Sequence, residues 1–536
     1  TTTEKLRRYR RMILELLLAH HCRDCTACGQ NGRCKLQELA GRFHLRDVRF
    51  PNTAEGPRRD DSSPCISRDE NKCILCGDCV RMCNEIQAVG AIDFAHRGAR
   101  MKVSAVFDKP VADSPCVGCG QCAAVCPTAA ITVKDDVPAV WEALEDRGVK
   151  VTVQIAPAVR VALGREFGLD GAGGAGPGNA AENALGRAAA ALRRMGFDEI
   201  FDTATGADMT VLEESAELLK RLETARSFHG GNQETVPFGR CGTPLFTSCC
   251  PAWVRLCEKQ YPEVLPLLST ARSPMQMFAS VINEDVNRSS SRRHVHVAVM
   301  PCTAKKFEAR RPEFVYGGNG GVTKQMVDYV ITTQELIRMI RESGIVFSEL
   351  SPEAVDMPFG TISGAGLIFG VTGGVAEAVL RRLISDKSPE SLMALSFRGV
   401  RGMEGVKTAS VTLGEREVRI GVVSGLGNAA KLVEKLKTGE EYFDFVEVMA
   451  CPGGCVGGAG QPAATAAEQE ARGRGLYSAD RMTAVKRSEE NPLMMSLYNG
   501  ILKGRVHELL HVNYARAGGS VSDRHVSGVC RQEEVK

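Results

Sequence analysis

The sequence predicts an α/β protein in which a large domain of strand, loop and helix units follows several small cysteine-rich modules. Three observations carry this. Cysteines crowd the first part of the chain at two- and three-residue gaps and thin out from about Asp136, where mixed α/β patterning takes over. Farther on, three stretches repeat one design, an extended run that delivers cysteine to a loop at its end. Glycines gather in and beside those loops, as they do where backbone must pass close to something bulky.

The three loops share a chemistry. Glu447 to Pro462 (EVMACPGGCVGGAGQP) begins with a strand-like run, Phe445 to Ala450, and holds Cys451 and Cys455 among glycines. Val295 to Met300 (VHVAVM) alternates with period two and runs into Pro301-Cys302, ahead of the helix-like TAKKFEARR. Pro244 to Trp253 (PLFTSCCPAW) is a short extended segment that brings Cys249 and Cys250 to a helix start, with Pro251 suited to the first turn. Open α/β sheets gather ligands at the carboxyl ends of their strands, so the loops are expected to converge. Cys250, Cys302, Cys451 and Cys455 would then be four thiolates around one iron-sulfur cluster.

The chain has 536 residues and a formal charge of +3 with dispersed basic residues, which argues for several domains and against nucleic acid as a partner. Its 21 cysteines, clustered at metal-binding gaps, favour metal over disulfides and a reducing, cytoplasmic setting. No apolar run reaches membrane-spanning length. The start at Thr1, without methionine or a signal-like segment, raises the expectation of a missing upstream piece, such as a 2Fe-2S domain.

In order, residues 1–50 read as a first module. Glu4 to Ala19 places Leu6, Tyr9, Ile13, Leu16 and Leu17 on one helical face and Arg7, Arg8, Arg10 and Arg11 largely elsewhere, a solvated basic face or a docking surface. Then His21, Cys25, Cys28 and Cys34 follow an H-x3-C-x2-C-x5-C pattern, with His20 and Cys22 beside it. A neutral imidazole in place of one thiolate should raise a cluster's reduction potential. A polar linker over 51–64 leads to a second module, 65–135. There Cys73, Cys76, Cys79 and Cys83, then Cys116, Cys119, Cys122 and Cys126, form two C-x2-C-x2-C-x3-C runs. That doubled pattern reads as a two-cluster ferredoxin, in which the fourth cysteine of each run ligates the other cluster. Cys73, Cys76, Cys79 and Cys126 would hold one, and Cys116, Cys119, Cys122 and Cys83 the other; zinc gives no reason for the crossing. Cys65 has no partner at motif spacing and reads as structural.

The large domain spans 136–514. Lys150 to Ile155 alternates like a strand and ends at Ala156-Pro157, while Gly171 to Gly178 reads as a surface loop without a nucleotide fingerprint. Met209 to Leu222 is helical, with Glu214, Glu217 and Arg221 on one face. Arg226 to Thr243, which includes Cys241, is a long connection. Glu335 to Ile340 and Ala376 to Ile384 read as helices flanking SGAGLIFGVTGG, and Leu493 to Tyr514 as a closing helical region. Residues 515–536 form a polar tail with the lone Cys530.

TSCCPAW, MPCTAKKFE and EVMACPGGCVGGAGQP, in this order, resemble the three signature motifs of the FeFe-hydrogenases, and the similarity runs from about residue 4 to about 514. The His21 pattern is similar to a 4Fe-4S module shared by large members of that family and a subunit of respiratory complex I. The resemblance implies the FeFe-hydrogenase fold and reversible hydrogen conversion at the H-cluster: a 4Fe-4S cluster on the four cysteines, bridged through Cys455 to a di-iron centre carrying carbon monoxide, cyanide and a dithiolate amine. With it come three accessory 4Fe-4S clusters.

By the same resemblance Cys249 passes protons to Glu214, Ser269 and Glu217, with Arg221 at the outer end. A helix start can lower the Cys249 pKa towards the working range. Lys305 would donate to a cyanide, the alternative being a surface salt bridge with Glu308. Ala156, Pro157, Met300 and Met449 would pack at the di-iron centre, for the methionines equally a core role, and Ala158 stands where some relatives have a serine. Hydrogen sensors and iron-sulfur assembly proteins share the superfamily; sensors tend to lose the cysteine that Cys249 retains, and assembly proteins the full second motif. Implied partners are maturation proteins and a flavin- and NAD(P)-binding subunit or ferredoxin, with formate dehydrogenase as the alternative.

Overall fold

The computed structural model describes residues 3–52, 59–169, 177–227, 243–289, 291–317, 323–384, 386, 401, 405–414 and 416–514. Residues 171–176 of the expected glycine loop, Cys241, and the tail with Cys530 lie outside them, while the helix Pro177–Met195 begins at the end of that loop. The chain divides into two compact units, Thr1–Lys134 and Asp135–Lys536.

In the first unit a small sheet, β1 (Arg59–Asp60), β2 (Ile66–Asp69) and β5 (Ile131–Val133), is antiparallel in the order β1-β2-β5, so the ends of the ferredoxin-like stretch close on each other at Ile66 and Val133. A hairpin of β3 (Asp93–Ala95) and β4 (Lys102–Ser104) lies between them in sequence. Each cysteine run turns through a glycine, Gly77 (φ 78°) or Gly120 (φ 69°), into a short helix. A side chain at either would strain that left-handed turn.

The helix Glu4–Ala19 forms over the expected residues, but the buried positions are Leu14, Glu15 and Ala19. Leu6, Tyr9, Ile13 and Leu16 are exposed. Glu15 explains the difference: it pairs with Arg49 at 2.6 Å and Arg11 at 3.4 Å, both largely exposed, so a carboxylate held from outside by two arginines, not the apolar stripe, turns inward.

The second unit is built on a four-stranded parallel sheet of β6 (Val149–Ile155), β7 (Glu199–Asp202), β9 (Arg293–Met300) and β12 (Tyr329–Thr332), in the order β12-β9-β6-β7. The period-two alternation of VHVAVM does not mark a wet face. All of β6, and β9 from His294 on, are buried, as parallel strands covered by helices on both faces are. His294 and His296 are accommodated by the Thr152 hydroxyl, at 2.8 and 2.7 Å.

A second sheet, β13 (Val406–Leu413), β14 (Arg416–Ser424), β15 (Phe445–Met449) and β8 (Leu245–Phe246), runs in the order β13-β14-β15-β8, parallel except for the β13–β14 pair. The expected acid-bearing helix is longer than its periodicity, Ala204–Ser227. Thr333–Glu342 and Gly374–Leu383 appear with shifted ends. The closing region is not one helical stretch: helices Pro492–Asn499 and Val506–Leu510 are followed by backbone that bridges His511 to Ala271.

Candidate catalytic and metal-binding sites

Four loops leave the carboxyl ends of β6, β8, β9 and β15, two from neighbouring strands of each sheet. Cys250 is the N-cap of the helix Pro251–Gln260 with Pro251 at its start, and its sulfur accepts the Ala450 N–H at 3.4 Å. Cys302 follows Pro301 just ahead of the helix Ala304–Ala309. The β15 loop is held by Ser424, whose hydroxyl donates to Cys451 O (3.3 Å) and accepts from Gly453 N (2.8 Å). Gly460 N donates to Pro301 O at 3.0 Å, tying this loop to that of Cys302. A Cβ on Gly458 would lie 2.1 Å from Pro301 O, so only glycine permits the approach.

The thiols raise one another's pKa. Cys302 is pushed up to about 11, by burial first and then by Cys250. Cys455 is raised by burial, Cys302 and Cys250, and Lys305 opposes both shifts. Cys451 is buried on the same loop as Cys455. Crowded buried thiols are costly as thiolates unless a cationic centre offsets their charge, which fits a soft iron-sulfur core better than a bare cavity.

Beside them stands an acid series. Cys249 is held well above its ordinary pKa by burial, then Glu214, then Cys250. This corrects the expectation of a lowered value: burial and a facing carboxylate outweigh the helix start, and the thiol keeps its proton. Glu214 is pushed up to about 8, mainly by burial and then by Glu217, while the Ser248 N–H and the Ser269 side chain pull it down. Its Oε2 makes no hydrogen bond to the protein. Ser269 Oγ donates to Glu217 Oε2 at 2.9 Å, and Arg221 Nη2 donates to Glu217 Oε1 at 2.6 Å. The structure thus brings Cys249, Glu214, Ser269, Glu217 and Arg221 into one series.

The ordinary carboxyl would release its proton near 4.5, but folded Glu214 keeps it until about 8. Its contribution to stability is therefore complete below 4.5 and lost as pH rises to about 8. A protonated-carboxyl infrared band should persist at pH 7, vanish above about 8, and be missing in Glu214→Gln. A band that vanishes near pH 5 would contradict this environment.

Lys305 and Glu308 do pair, at 2.7 Å, but the pair is buried, not on the surface as the alternative had it. Glu308 also accepts from Ser273 Oγ at 3.0 Å, and Lys305 Nζ donates to Cys249 O at 3.3 Å. Burial lowers the Lys305 pKa but Glu308 more than reverses this, so the cation is kept beside the thiols. Ala156 caps the helix Pro157–Glu166, and Ala158 O accepts from Gln461 of the β15 loop at 2.8 Å. Met300 and Met449 are buried at their strand ends.

Sequence reasoning missed Glu447 as a site residue. Fully buried and pushed up to about 7 by burial, it accepts Gly373 N (2.6 Å) and Ala376 N (2.8 Å), anchoring the TGG turn beside Cys249. A lone charge inside an apolar strand was the available signal. The helix Ala466–Met482 was also missed, although Thr465 and Glu468 form a capping box legible as T-x-x-E.

In the first unit one cavity is lined by Cys73, Cys76, Cys79 and, from the second run, Cys126. Cys122 is raised by burial and then by Cys119, Cys116, Cys83 and Cys79, so Cys83 of the first run lies near the second. The Ala91 N–H donates to the Cys83 sulfur at 3.3 Å. Cys25 shares charge repulsion with Cys34, Cys28 and Cys22. His21 is buried, its Nδ1 accepts the Arg23 N–H at 3.2 Å, and its Nε2 makes no hydrogen bond, leaving a nitrogen lone pair or proton to be satisfied. Among the described residues no three such side chains are gathered tightly enough for a single metal ion.

An α/β domain with cysteine-bearing loops at its strand ends, behind a dicluster module, defines an iron-sulfur oxidoreductase. Residues 149–459 match the family model "Iron only hydrogenase large subunit, C-terminal domain", and 466–517 match "Iron hydrogenase small subunit". Residues 10–49 match an NADH-ubiquinone oxidoreductase-G iron-sulfur binding region and 72–136 a 4Fe-4S dicluster domain. The chain belongs to the FeFe-hydrogenase family and is its catalytic subunit, an oxidoreductase acting on hydrogen.

It is 42% identical over 514 residues to the NADP-reducing hydrogenase subunit HndD of Solidesulfovibrio fructosivorans, covering 94% of this chain and 84% of that one. It is 34% identical to iron hydrogenase 1 of Clostridium pasteurianum, covering 94% and 85%. A solved structure of the FeFe-hydrogenase HydA1 from Chlamydomonas reinhardtii is similar at 36% identity and a TM-score of 0.59, covering 72% of this chain and 99% of that one. No helix among the described residues is long and apolar enough to cross a membrane.

Proposed function

We propose that Cys250, Cys302, Cys451 and Cys455 hold the H-cluster, that Cys249, Glu214, Ser269 and Glu217 move its protons, and that three accessory 4Fe-4S clusters carry its electrons. The observation that carries this reading is the thiol Cys249 placed near Cys250 and Cys455 on one side and, on the other, Glu214, a carboxyl pushed up to about 8. The cofactor, when bound, supplies the redox chemistry of hydrogen; the protein supplies position, proton transfer and exclusion of water. Cys249 is the first protein group to hold the proton, and Glu214, poised near the working pH, can both take and give it. Lys305, kept charged by Glu308, faces the site as a fixed cation for an anionic ligand such as cyanide. Ala156, Pro157, Met300 and Met449 form apolar walls, and Ala158, lacking a hydroxyl, offers no side-chain donor there.

The accessory sets are His21, Cys25, Cys28 and Cys34; Cys73, Cys76, Cys79 and Cys126; and Cys116, Cys119, Cys122 and Cys83. Domain limits near residues 50, 64, 135 and 514 follow from them. The cavity shared by Cys126 with the first run, and the buried, unbonded Nε2 of His21, support these sets. Likeness to an NADP-reducing hydrogenase subunit supports a complex with an NADP-linked partner, for which a flavin- and NAD(P)-binding subunit is the candidate, with ferredoxin or formate dehydrogenase as other electron partners. The clustered cysteines fit a reducing, cytoplasmic setting. Maturation proteins build the di-iron part.

The test is spectroscopic. Protein matured with the dedicated enzymes should show infrared bands of bound carbon monoxide and cyanide, iron for three accessory clusters plus the catalytic centre, and turnover with an artificial dye but not with NAD(P)H. Two accessory clusters by EPR would remove His21 from the ligands, and turnover of the isolated chain with NAD(P)H would refute the separate nicotinamide subunit.

A further inference from the structure

The acid series ends, on its outer side, at a group that cannot finish the task. Arg221 donates to Glu217 Oε1 and to the carbonyls of Leu267 and Leu268, at 3.2 and 3.0 Å. A guanidinium keeps its proton at any pH at which a protein is folded, so it can hold a carboxylate in place but cannot take a proton from solvent and pass it on. Glu217 needs another neighbour that titrates.

The structure supplies one on the other oxygen. Glu217 Oε2 accepts from Thr270 N at 3.0 Å and faces the Thr270 hydroxyl at 3.4 Å. That hydroxyl lies 2.9 Å from His511 Nδ1, and His511 Nε2 lies 2.9 Å from Glu213 Oε2. Glu213 stands one turn before Glu217 on the same helix, and Tyr498 OH donates to its other oxygen. His511 and Glu213 are only 12% and 13% exposed, yet the His511 ring stacks on exposed His507 with centroids 5.0 Å apart. Paired backbone fixes the arrangement: Val512 N donates to Thr270 O at 2.7 Å and Arg272 N to Leu510 O at 2.8 Å.

We propose that Thr270 and His511 are the outlet of the acid relay, exchanging protons between Glu217 and the surface at His507, while Arg221 only positions Glu217. This rests on the reading of Glu214, Ser269 and Glu217 as the relay. Imidazole is the side chain whose ordinary titration falls in the physiological range. With Glu213 ionised, neutral His511 carries its proton on Nε2, and Nδ1 accepts from the Thr270 hydroxyl. When solvent adds a second proton, Nδ1–H becomes a donor to Thr270 Oγ1, which turns the threonine's own hydrogen towards Glu217. The transfer breaks Nδ1–H and forms O–H on Thr270 as the original Thr270 O–H breaks and Oε2–H forms on Glu217. Threonine is regenerated, His511 is neutral, and the reverse sequence releases protons during hydrogen oxidation.

The charged groups facing His511 are Glu213, with Arg382 acting on it; Glu217 and Arg221 through Thr270; and Arg272, which donates to His511 O at 2.9 Å. His507 and Tyr498 are its titratable aromatic neighbours. Burial tends to raise the Glu213 pKa, but the His511 and Tyr498 hydrogen bonds take it below the ordinary value, so an anion is there to hold the imidazole.

The experiment uses matured holoenzyme with an artificial dye, in both directions across pH 5 to 9, for His511→Ala, Thr270→Val and Glu217→Gln. The expected result is a loss of about tenfold or more in His511→Ala and Thr270→Val with unchanged cofactor infrared bands and an altered pH profile. Added imidazole should restore His511→Ala and not Thr270→Val, which still lacks the hydroxyl. Wild-type rates and pH profile in Thr270→Val overturn the outlet, as does a slowed His511→Ala that imidazole leaves unmoved. If His511→Ala fails to fold, Thr270→Val, which removes one hydroxyl at constant shape, decides. Slow Glu217→Gln beside fast Thr270→Val sinks the outlet alone, whereas wild-type turnover in Glu217→Gln sinks the relay beneath it.

Discussion

Cys249→Ser should lower turnover by on the order of a hundredfold or more in both directions while the infrared bands of the bound cofactor stay in place. The thiol is partly buried and faces Glu214, so it holds its proton more tightly than an ordinary cysteine. A serine hydroxyl is far less acidic still, and cannot pass a proton to a carboxyl that titrates near 8. The metal bond is assigned to the next residue, Cys250, whose sulfur takes the Ala450 N–H, so the cluster should not notice the change. Retained activity would remove Cys249 from the relay, and lost bands would make it structural.

Gly458→Ala should abolish cofactor retention in a protein that still folds. The new Cβ would lie 2.1 Å from Pro301 O and 2.9 Å from Pro301 C, both backbone atoms, so one loop must withdraw from the other. Those loops carry Cys455 and Cys302. Overpacking of this kind costs about 1–3 kcal/mol, which a domain of this size survives, but the thiols would no longer face one centre. Infrared bands and turnover should vanish with the circular dichroism unchanged, while Gly41→Ala, where nothing lies within 4 Å, should behave as wild type. Full bands in Gly458→Ala would show that the loops tolerate separation.

How far the sequence foretells the site follows from what each signal measures. The strand ends at Ile155, Met300 and Met449 were legible because an apolar run stops where a proline or cysteine loop begins. The helix start at Pro251 was legible from the proline itself. Periodicity in the first helix gives the apolar stripe of Leu6, Tyr9, Ile13 and Leu16 but not which residues turn inward, because burial there follows a pairing between Glu15 and Arg49, far apart in sequence. The pKa of Cys249 was misjudged because a helix start is a local feature, whereas desolvation and the Glu214 charge come from tertiary packing. The link from Thr270 to His511 depends on two segments, far apart in sequence, that pair at the bridge between Ala271 and His511, which no motif announces.

The most direct test of the central claim is isotope exchange, because it needs no electron partner. Matured, reduced chain under H2 in D2O should release HD, and chain expressed without maturation enzymes should release none although its thiols carry their iron-sulfur clusters. Absence of HD from matured protein with its full iron complement and intact carbon monoxide and cyanide bands would contradict hydrogen conversion at this site.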